Sequence, residues 1–373
     1  MTVTLFLSIP DAGTTMRPIF DGHGDLALFA ISYNRDQTAT AEEINRREEG
    51  MTDTFGRGCA ANSLPEMRRA GVGICQSSLA VRVADKARPT LRSDLNFATH
   101  HMAYAHAHGQ LAYYRVLEQQ GEVRLIDSAE EMNSQWQTWE TATEEERLEL
   151  PVGIIVSMEC ADPIVEPSQA ELWWEDGLRS VMLSHFGHSQ YAAGTGVTGP
   201  LTARGVELLA EFERLGMILD LSHTSEESFY ESLDRFTGPV IASHNNCQAL
   251  VPGDRQLSDD QIGRLIERGG VIGAVLDAWM LVPGWVHGTS RPEEVDMGAV
   301  ADHIDHVCQL AGNSRHAAIG SDIGGTNHMP HDFRTTSDLQ KLDSLLADRG
   351  YDDRDIDNIF HLNWLEFFRR ELP

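Results

Sequence analysis

The chain has 373 residues and a formal charge of −28, from 29 Lys and Arg against 57 Asp and Glu. With 41% hydrophobic and 23% charged residues and no Ser/Gln/Pro-rich tract, it reads as a globular sequence of one large domain or two ordinary ones, able to bury a core. So acidic a surface repels phosphate backbones and anionic headgroups, which sets aside nucleic acid and membrane surfaces and leaves small molecules as partners.

In chain order, the opening MTVTLFLSIPDAGTTMRP lacks a basic region and carries too short an apolar run for a secretory signal. No later stretch approaches the ~18 apolar residues of a spanning helix. Five single cysteines (Cys59, Cys75, Cys160, Cys247, Cys308) without a C-x-x-C pair fit a reducing compartment, so a cytoplasmic protein is expected. Apolar runs rich in Val, Ile and Leu then recur at 18–22, 72–81, 152–158, 180–184, 217–222, 239–243, 271–276 and 317–321. Between the later runs lie 201–216, 225–236, 258–270 and 297–312, whose apolar residues fall three or four apart and which often open at Ser, Thr or Asp and end at Gly; these are capped helices. Buried strands alternating with helices pair in parallel through right-handed crossovers, and eight such units predict an α/β fold of the (β/α)8 TIM-like barrel type, with a doubly wound open sheet as the alternative. Residues 82–151 break the rhythm with a helix-like run at 93–120, a short strand at 123–126 and an acidic helix near 128–149, which predicts a helical insertion between strands two and three. No repeat or linker composition divides the chain, so 1–373 is read as a single domain.

Nearly every apolar run stops at a residue that can bind a metal or move a proton: His23 and Asp25, Glu159, His185, His223, His244 and Asp322. In a barrel these ends share one face, where active sites are built. Three imidazoles (His23, His223, His244) and two carboxylates (Asp25, Glu159) suit zinc and its neighbours, and five ligands exceed one tetrahedral shell. With one carboxylate bridging, they make a two-metal site in which a shared water loses a proton near neutral pH. A lone His after a strand is usually a packing residue, but Ser-His recurs at 222–223 and 243–244 on adjacent strand ends, which favours the set over coincidence.

DGHGD (21–25), SMECAD (157–162), LSHFGH (183–188), LDLSHTSEES (219–228), PVIASHNNCQAL (239–250), VPGDRQLSDDQI (251–262) and IGSDIGG (319–325) resemble the ordered signature blocks of the membrane dipeptidase family, the M19 metallopeptidases. The likeness extends over about residues 18–370 and includes IFHLNWLEFFR (359–369), similar to the family's Asn-containing last helix. It implies that His23 and Asp25 bind one zinc, that His223 and His244 bind the other, and that Glu159 bridges them. Asp322 matches the family's proton-handling aspartate, His185 the histidine that steadies the tetrahedral oxyanion, and Arg255 the arginine that grips the substrate. A dimer is implied as well. Many two-metal amidohydrolase barrels bridge their ions with a carbamylated lysine, but Lys86 and Lys341 are the only lysines and neither follows a strand, which leaves Glu159 as the bridge. The same scarcity argues against Walker-type nucleotide and pyridoxal sites.

Three departures fall around the pocket. His188 and Ser189 stand where relatives usually carry Asn, Asp322-Ile323-Gly324-Gly325 replaces D-F-D-G, and strand seven ends in Val275-Leu276-Asp277-Ala278-Trp279 rather than an Asn-Phe-Tyr-like run. Gly194 to Gly199 satisfies G-x-G-x-x-G but starts too far beyond its strand to cradle a pyrophosphate, so it is read as a glycine-rich substrate loop. His100, His101, His106 and His108 are read as helix-surface or packing residues. His328 and His331 lie closer to the expected mouth, and Trp173 and Trp174 pack outside it. No G-x-S-x-G supports a serine nucleophile. The expectation is a zinc-dependent hydrolase that cleaves the amide bond of dipeptides, including those with a D-residue at the C-terminal position. The alternatives are a two-metal amidohydrolase acting on a non-peptide amide or lactone, and a catalytically silent binding barrel.

Overall fold

Each of the eight apolar runs forms a strand. The computed structural model describes residues 16–54, 56–84, 95–324 and 328–373; the opening stretch up to residue 15, Lys86 and Gly325 lie outside them. The strands are β1 (Ile19–Gly24), β2 (Val72–Ala80), β3 (Arg82–Val83), β4 (Asn96–Phe97), β5 (Val123–Leu125), β6 (Val152–Glu159), β7 (Leu178–Met182), β8 (Ile218–Asp220), β9 (Val240–Ile241), β10 (Ile272–Ala274) and β11 (Ala317–Ile319). The eight that correspond to the runs are buried along their whole length. Burial on both faces is why they read as continuous apolar runs rather than alternating ones.

Their pairing is parallel in the order β1-β2-β6-β7-β8-β9. A bridge from Ala242 to Ile272 carries the order on to β10, which pairs with β11. Beyond β11 the Asp322 N–H donates to the His23 carbonyl at 3.2 Å, and the Ser321 N–H to Asp21 Oδ1 at 2.8 Å, so the last strand of this curled sheet meets the first. Helices follow the strands where the periodicity placed them, at Ala203–Leu215, Glu226–Arg235, Asp259–Glu267 and Met297–Ala311. Their N-caps are Thr202, Ser225, Ser258 and Asp296, each accepting a first-turn N–H, and Gly216 and Gly312 end two of them with φ of 78° and 67°. Each such cap contributes about 1 kcal/mol.

Alternation along the strands divides the core in two. Ile19, Cys75, Ile154, Leu219 and Ile272 face the helices, against residues such as Leu208, Phe212 and Ile304. Phe20, Ile74, Ile155, Ile218, Ile241 and Ala318 face the opposite way and pack with Trp364, Phe367 and Phe368 of the last helix, Asn363–Glu371. That helix closes the end from which the strands start and leaves their other ends open.

Residues 82–151 contain helices His100–Gln119, Ala129–Thr141 and Glu144–Arg147. The acidic helix expected near 128–149 is therefore two, divided where Thr143 forms a capping box with Glu146. β5 pairs with the first residues of β6 on the side that β7 takes from Val156 onward. β3 and β4 form a separate parallel ribbon beside the strand ends.

Candidate metal centre

The strand-end residues converge. The Nε2 atoms of His185, His223 and His244 lie 3.4, 3.3 and 3.4 Å from one oxygen, Glu159 Oε1. His23 Nε2 is 3.9 Å from the same atom, 3.7 Å from Asp25 and 3.8 Å from Asp322. Three triads have ligand atoms within 4.8 Å of one another: His23, Glu159 and His244; Glu159, His185 and His223; His23, Asp25 and Asp322. Because they share His23 and Glu159, the seven residues form one connected cluster. Their backbones carry the local cost of this aim, since Cys160, His223 and Asp322 adopt positive φ of 85°, 58° and 54° at their strand ends. Non-glycine residues held there cost about 1–3 kcal/mol each and gather at functional sites.

Hydrogen bonds orient the cluster from outside. His244 Nδ1 meets Ser243 Oγ at 2.9 Å, His223 Nδ1 meets Thr195 Oγ1 at 3.1 Å, and Ser78 Oγ donates to Asp25. Beneath them, Asp21 accepts from Ser321 and from the His23 N–H, and Asp220 accepts the N–H groups of Ser222 and Ser243 at 3.0 and 3.1 Å. The inner nitrogens have no such partner: His23 Nδ1 and Nε2 and His244 Nε2 are buried without a hydrogen bond. Buried polar atoms in folded proteins are normally satisfied, and imidazole nitrogens turned toward carboxylates are what a divalent ion requires. The residues present therefore fit a metal.

Electrostatics agree. Burial drives His223 and His244 well below the usual imidazole range, helped by the Arg255 charge, so their lone pairs are available. Burial opposes the charge on Glu159, yet the imidazoles of His185, His223 and His244 hold it well below the ordinary glutamate range. Burial and the neighbouring Glu159 raise Asp25 to about 6. Asp322 is raised well above the usual value by burial, then by Asp25 and Glu159, against the pull of His23 and Arg255. His185 falls to about 4 through burial, with Glu159 opposing and Arg82 adding to the fall.

Arg255 is 3% exposed. Its Nη2 donates to the His244 carbonyl at 2.8 Å, while Nη1 is buried without a partner. Neither acidic neighbour in sequence takes it: Asp254 accepts the Gly196 N–H at 2.6 Å and Asp259 pairs with His306 at 2.8 Å. The glycine-rich loop is a hairpin running back beside His185 and His223 rather than a phosphate cradle. A Cβ on Gly194 would lie 2.1 Å from the His185 carbonyl, which is why that position is glycine.

The other candidates fall outside the cluster. His188 is exposed on the same hairpin. His108 stacks on buried Trp173 with ring centres 4.1 Å apart, His100 lies 3.6 Å from Asp162, and His331 holds the Val295 carbonyl. His328 is 3.3 Å from Asp277. Sequence reasoning missed Arg82, whose Nη1 is bonded to His185 Nδ1. The signal was present, since Arg82 directly follows the second apolar run, the same kind of position that singled out the others.

The family model described as membrane dipeptidase (Peptidase family M19) matches residues 14–371. The "uncharacterized protein in pqqA 5′ region" of Klebsiella pneumoniae is 32% identical over 178 residues, 47% of this chain and 63% of that protein. Dipeptidase tcpJ of Claviceps purpurea is 30% identical over 200 residues, 52% of this chain and 44% of its own. The matched region thus spans about half of these curated relatives. Among solved structures, dipeptidase AC, a metallopeptidase of family M19, superposes with a TM-score of 0.76 at 23% identity, covering 96% of this chain and 99% of that one. A metallopeptidase from Rhodobacter sphaeroides, liganded with a phosphinate mimic of the dipeptide L-Ala-D-Ala, gives 0.75 at 23% identity over 95% and 99%.

Proposed function

Since this chain belongs to the membrane dipeptidase family, peptidase family M19, we propose that it is a two-zinc hydrolase of dipeptides, including those with a D-residue at the C-terminal position. The observation that carries the reading is the convergence of four imidazoles on one oxygen of Glu159 with Asp25 and Asp322 alongside. We read the meeting of β11 with β1 as closure of a (β/α)8 barrel, whose open end is where such sites are built. His23 and Asp25 would hold one ion, His223 and His244 the other, and Glu159 both. When bound, such ions supply Lewis acidity toward a carbonyl oxygen and make water ionisable near neutral pH.

The chain's own groups complete the chemistry. Arg255 binds the substrate carboxylate through the buried Nη1 that no protein group satisfies. His185 donates to the oxygen that gains negative charge. Asp322, raised well above an ordinary carboxylate, carries a proton toward the leaving amine. The buried walls exclude bulk water and strengthen each of these interactions.

One observation favours a second reading, hydrolysis of a non-peptide amide or lactone. A Cβ at Gly324 would lie 2.0 Å from the Phe29 ring, so the second aspartate of D-F-D-G has no room and the pocket wall is altered. A single experiment tests both: metal content by elemental analysis, then turnover of a panel of L,L- and L,D-dipeptides, simple amides and lactones, with chelator and zinc re-addition. About two ions per chain with chelator-sensitive dipeptide cleavage is expected. Turnover of amides or lactones alone moves the assignment to the second reading, and fewer than one ion with no turnover overturns both.

A further inference from the structure

Arg82 stands on β3, directly after β2, and among the described residues its guanidinium meets Asn96, His185 and Phe186. Nε donates to Oδ1 of Asn96, its partner across the β3–β4 ribbon, at 2.6 Å. Nη1 is bonded to Nδ1 of His185, and the guanidinium carbon lies 5.7 Å from the centre of the Phe186 ring. The ribbon is itself pinned, because the Val83 N–H donates to Asp162 Oδ2 at 2.8 Å. Arg82 is thus held at the edge of the metal cluster by backbone and side-chain contacts together.

A guanidinium has donors only. Nδ1 of His185 must accept from it, and the ring proton then sits on Nε2, the nitrogen 3.4 Å from Glu159 that faces the cluster. We propose that Arg82 is a positioning residue for the reaction: by occupying Nδ1 it fixes His185 as a neutral Nε2–H donor aimed where the carbonyl oxygen becomes an oxyanion. Without it the imidazole is free to move its proton to Nδ1 and present a lone pair to that oxygen, which repels developing negative charge. A donor already aligned before the reaction costs no reorganisation in the transition state. The inference rests on the metallo-dipeptidase reading for its catalytic consequence, but the tautomer it assigns stands apart from activity.

The test has two arms. In metal-free protein with nitrogen-15 histidines, His185 is assigned by comparison with His185→Gln, and wild type should show a pyridine-like Nδ1 and a pyrrole-like Nε2. In the metal-loaded enzyme, Arg82→Met should lower kcat for L-Ala-D-Ala about ten- to a hundredfold, the usual effect of losing an outer orienting partner, with KM within about threefold. It should weaken binding of a phosphinate dipeptide mimic, measured by calorimetry, by the same factor as kcat/KM, with metal content unchanged. Arg82→Lys, which keeps a donor, should recover most of both. A proton on Nδ1 in wild type, or Arg82→Met with wild-type kcat and phosphinate affinity, overturns the proposal. So does a loss that tracks missing metal. If Arg82→Met does not fold, Asn96→Ala, which removes the partner of Arg82 Nε, carries the comparison, with a smaller loss expected and wild-type kcat and phosphinate affinity overturning the proposal. A wild type that cleaves no dipeptide and binds no phosphinate overturns the functional reading instead, and the tautomer measurement then decides the role of Arg82.

Discussion

Arg255 is a guanidinium taken almost wholly out of water with one of its nitrogens bonded to a carbonyl and another to nothing. Burial lowers its affinity for the proton, and the charges of Asp322, Glu159, Asp220 and Asp277 oppose that fall. A buried cation without a bonded carboxylate is costly, and on the proposed reading a substrate carboxylate would offset that cost by filling the fork. Arg255→Lys keeps the charge and loses the fork. It should reduce kcat/KM on a dipeptide by about ten- to a hundredfold, the size of a charge-assisted bond. The check compares a dipeptide with its C-terminal amide: wild type should prefer the free acid and the variant should lose most of that preference. An equal loss on both substrates assigns Arg255 to the loop that carries it.

The last helix shows what an element contributes without touching the chemistry. Trp364 packs beside Phe20, with ring centres 6.3 Å apart, donates to the Ile319 carbonyl at 2.9 Å, and leaves no room for a side chain at Gly22, whose Cβ would lie 2.4 Å from the indole. Gly22 sits one residue before His23, so the packing of this helix reaches the strand that aims His23 into the cluster. Trp364→Ala removes the ring and leaves a carbonyl without its donor, and should cost about 3–5 kcal/mol. Denaturant midpoints at unchanged slope measure the loss. A cost below about 1 kcal/mol, within the range of a surface change, would show that the helix only covers the strand starts and does not support them. The insertion works at the same scale: its β3–β4 ribbon delivers Arg82 to His185 across 103 positions of sequence.

Over the whole molecule, an acidic chain folds around a centre that concentrates Asp25, Glu159 and Asp322 within reach of one imidazole. These carboxylates repel one another unless cations stand between them, so metal removal should destabilise the entire fold. Each ion at a hundred times its dissociation constant adds about 2.7 kcal/mol, and for two ions a calorimetric Tm lower by at least ~5 °C after chelation, restored by zinc, is expected. An unchanged Tm would mean that the cluster holds no ion in the native state. The packing of Phe20 with Phe368, ring centres 5.3 Å apart, and the bond from the Ala129 N–H to the Pro373 carbonyl tie the last helix and the residues after it to the first strand and to the 82–151 segment. The sequence by itself determined the eight strands, because burial on both faces imposes unbroken apolar runs. It also marked His23, Asp25, Glu159, His185, His223, His244 and Asp322, because each ends or follows such a run. It marked Arg255 only through the likeness of VPGDRQ, since nothing local says that a loop arginine is buried. Only the tertiary structure decided that Arg82 is bonded to His185, that Phe29 fills the space beside Gly324, and that the described residues of 82–151 add the β3–β4 ribbon and divide the acidic helix at Thr143. Those outcomes depend on contacts between distant segments, where the free energy of packing overrides local propensity and no periodicity records which neighbour a side chain will meet.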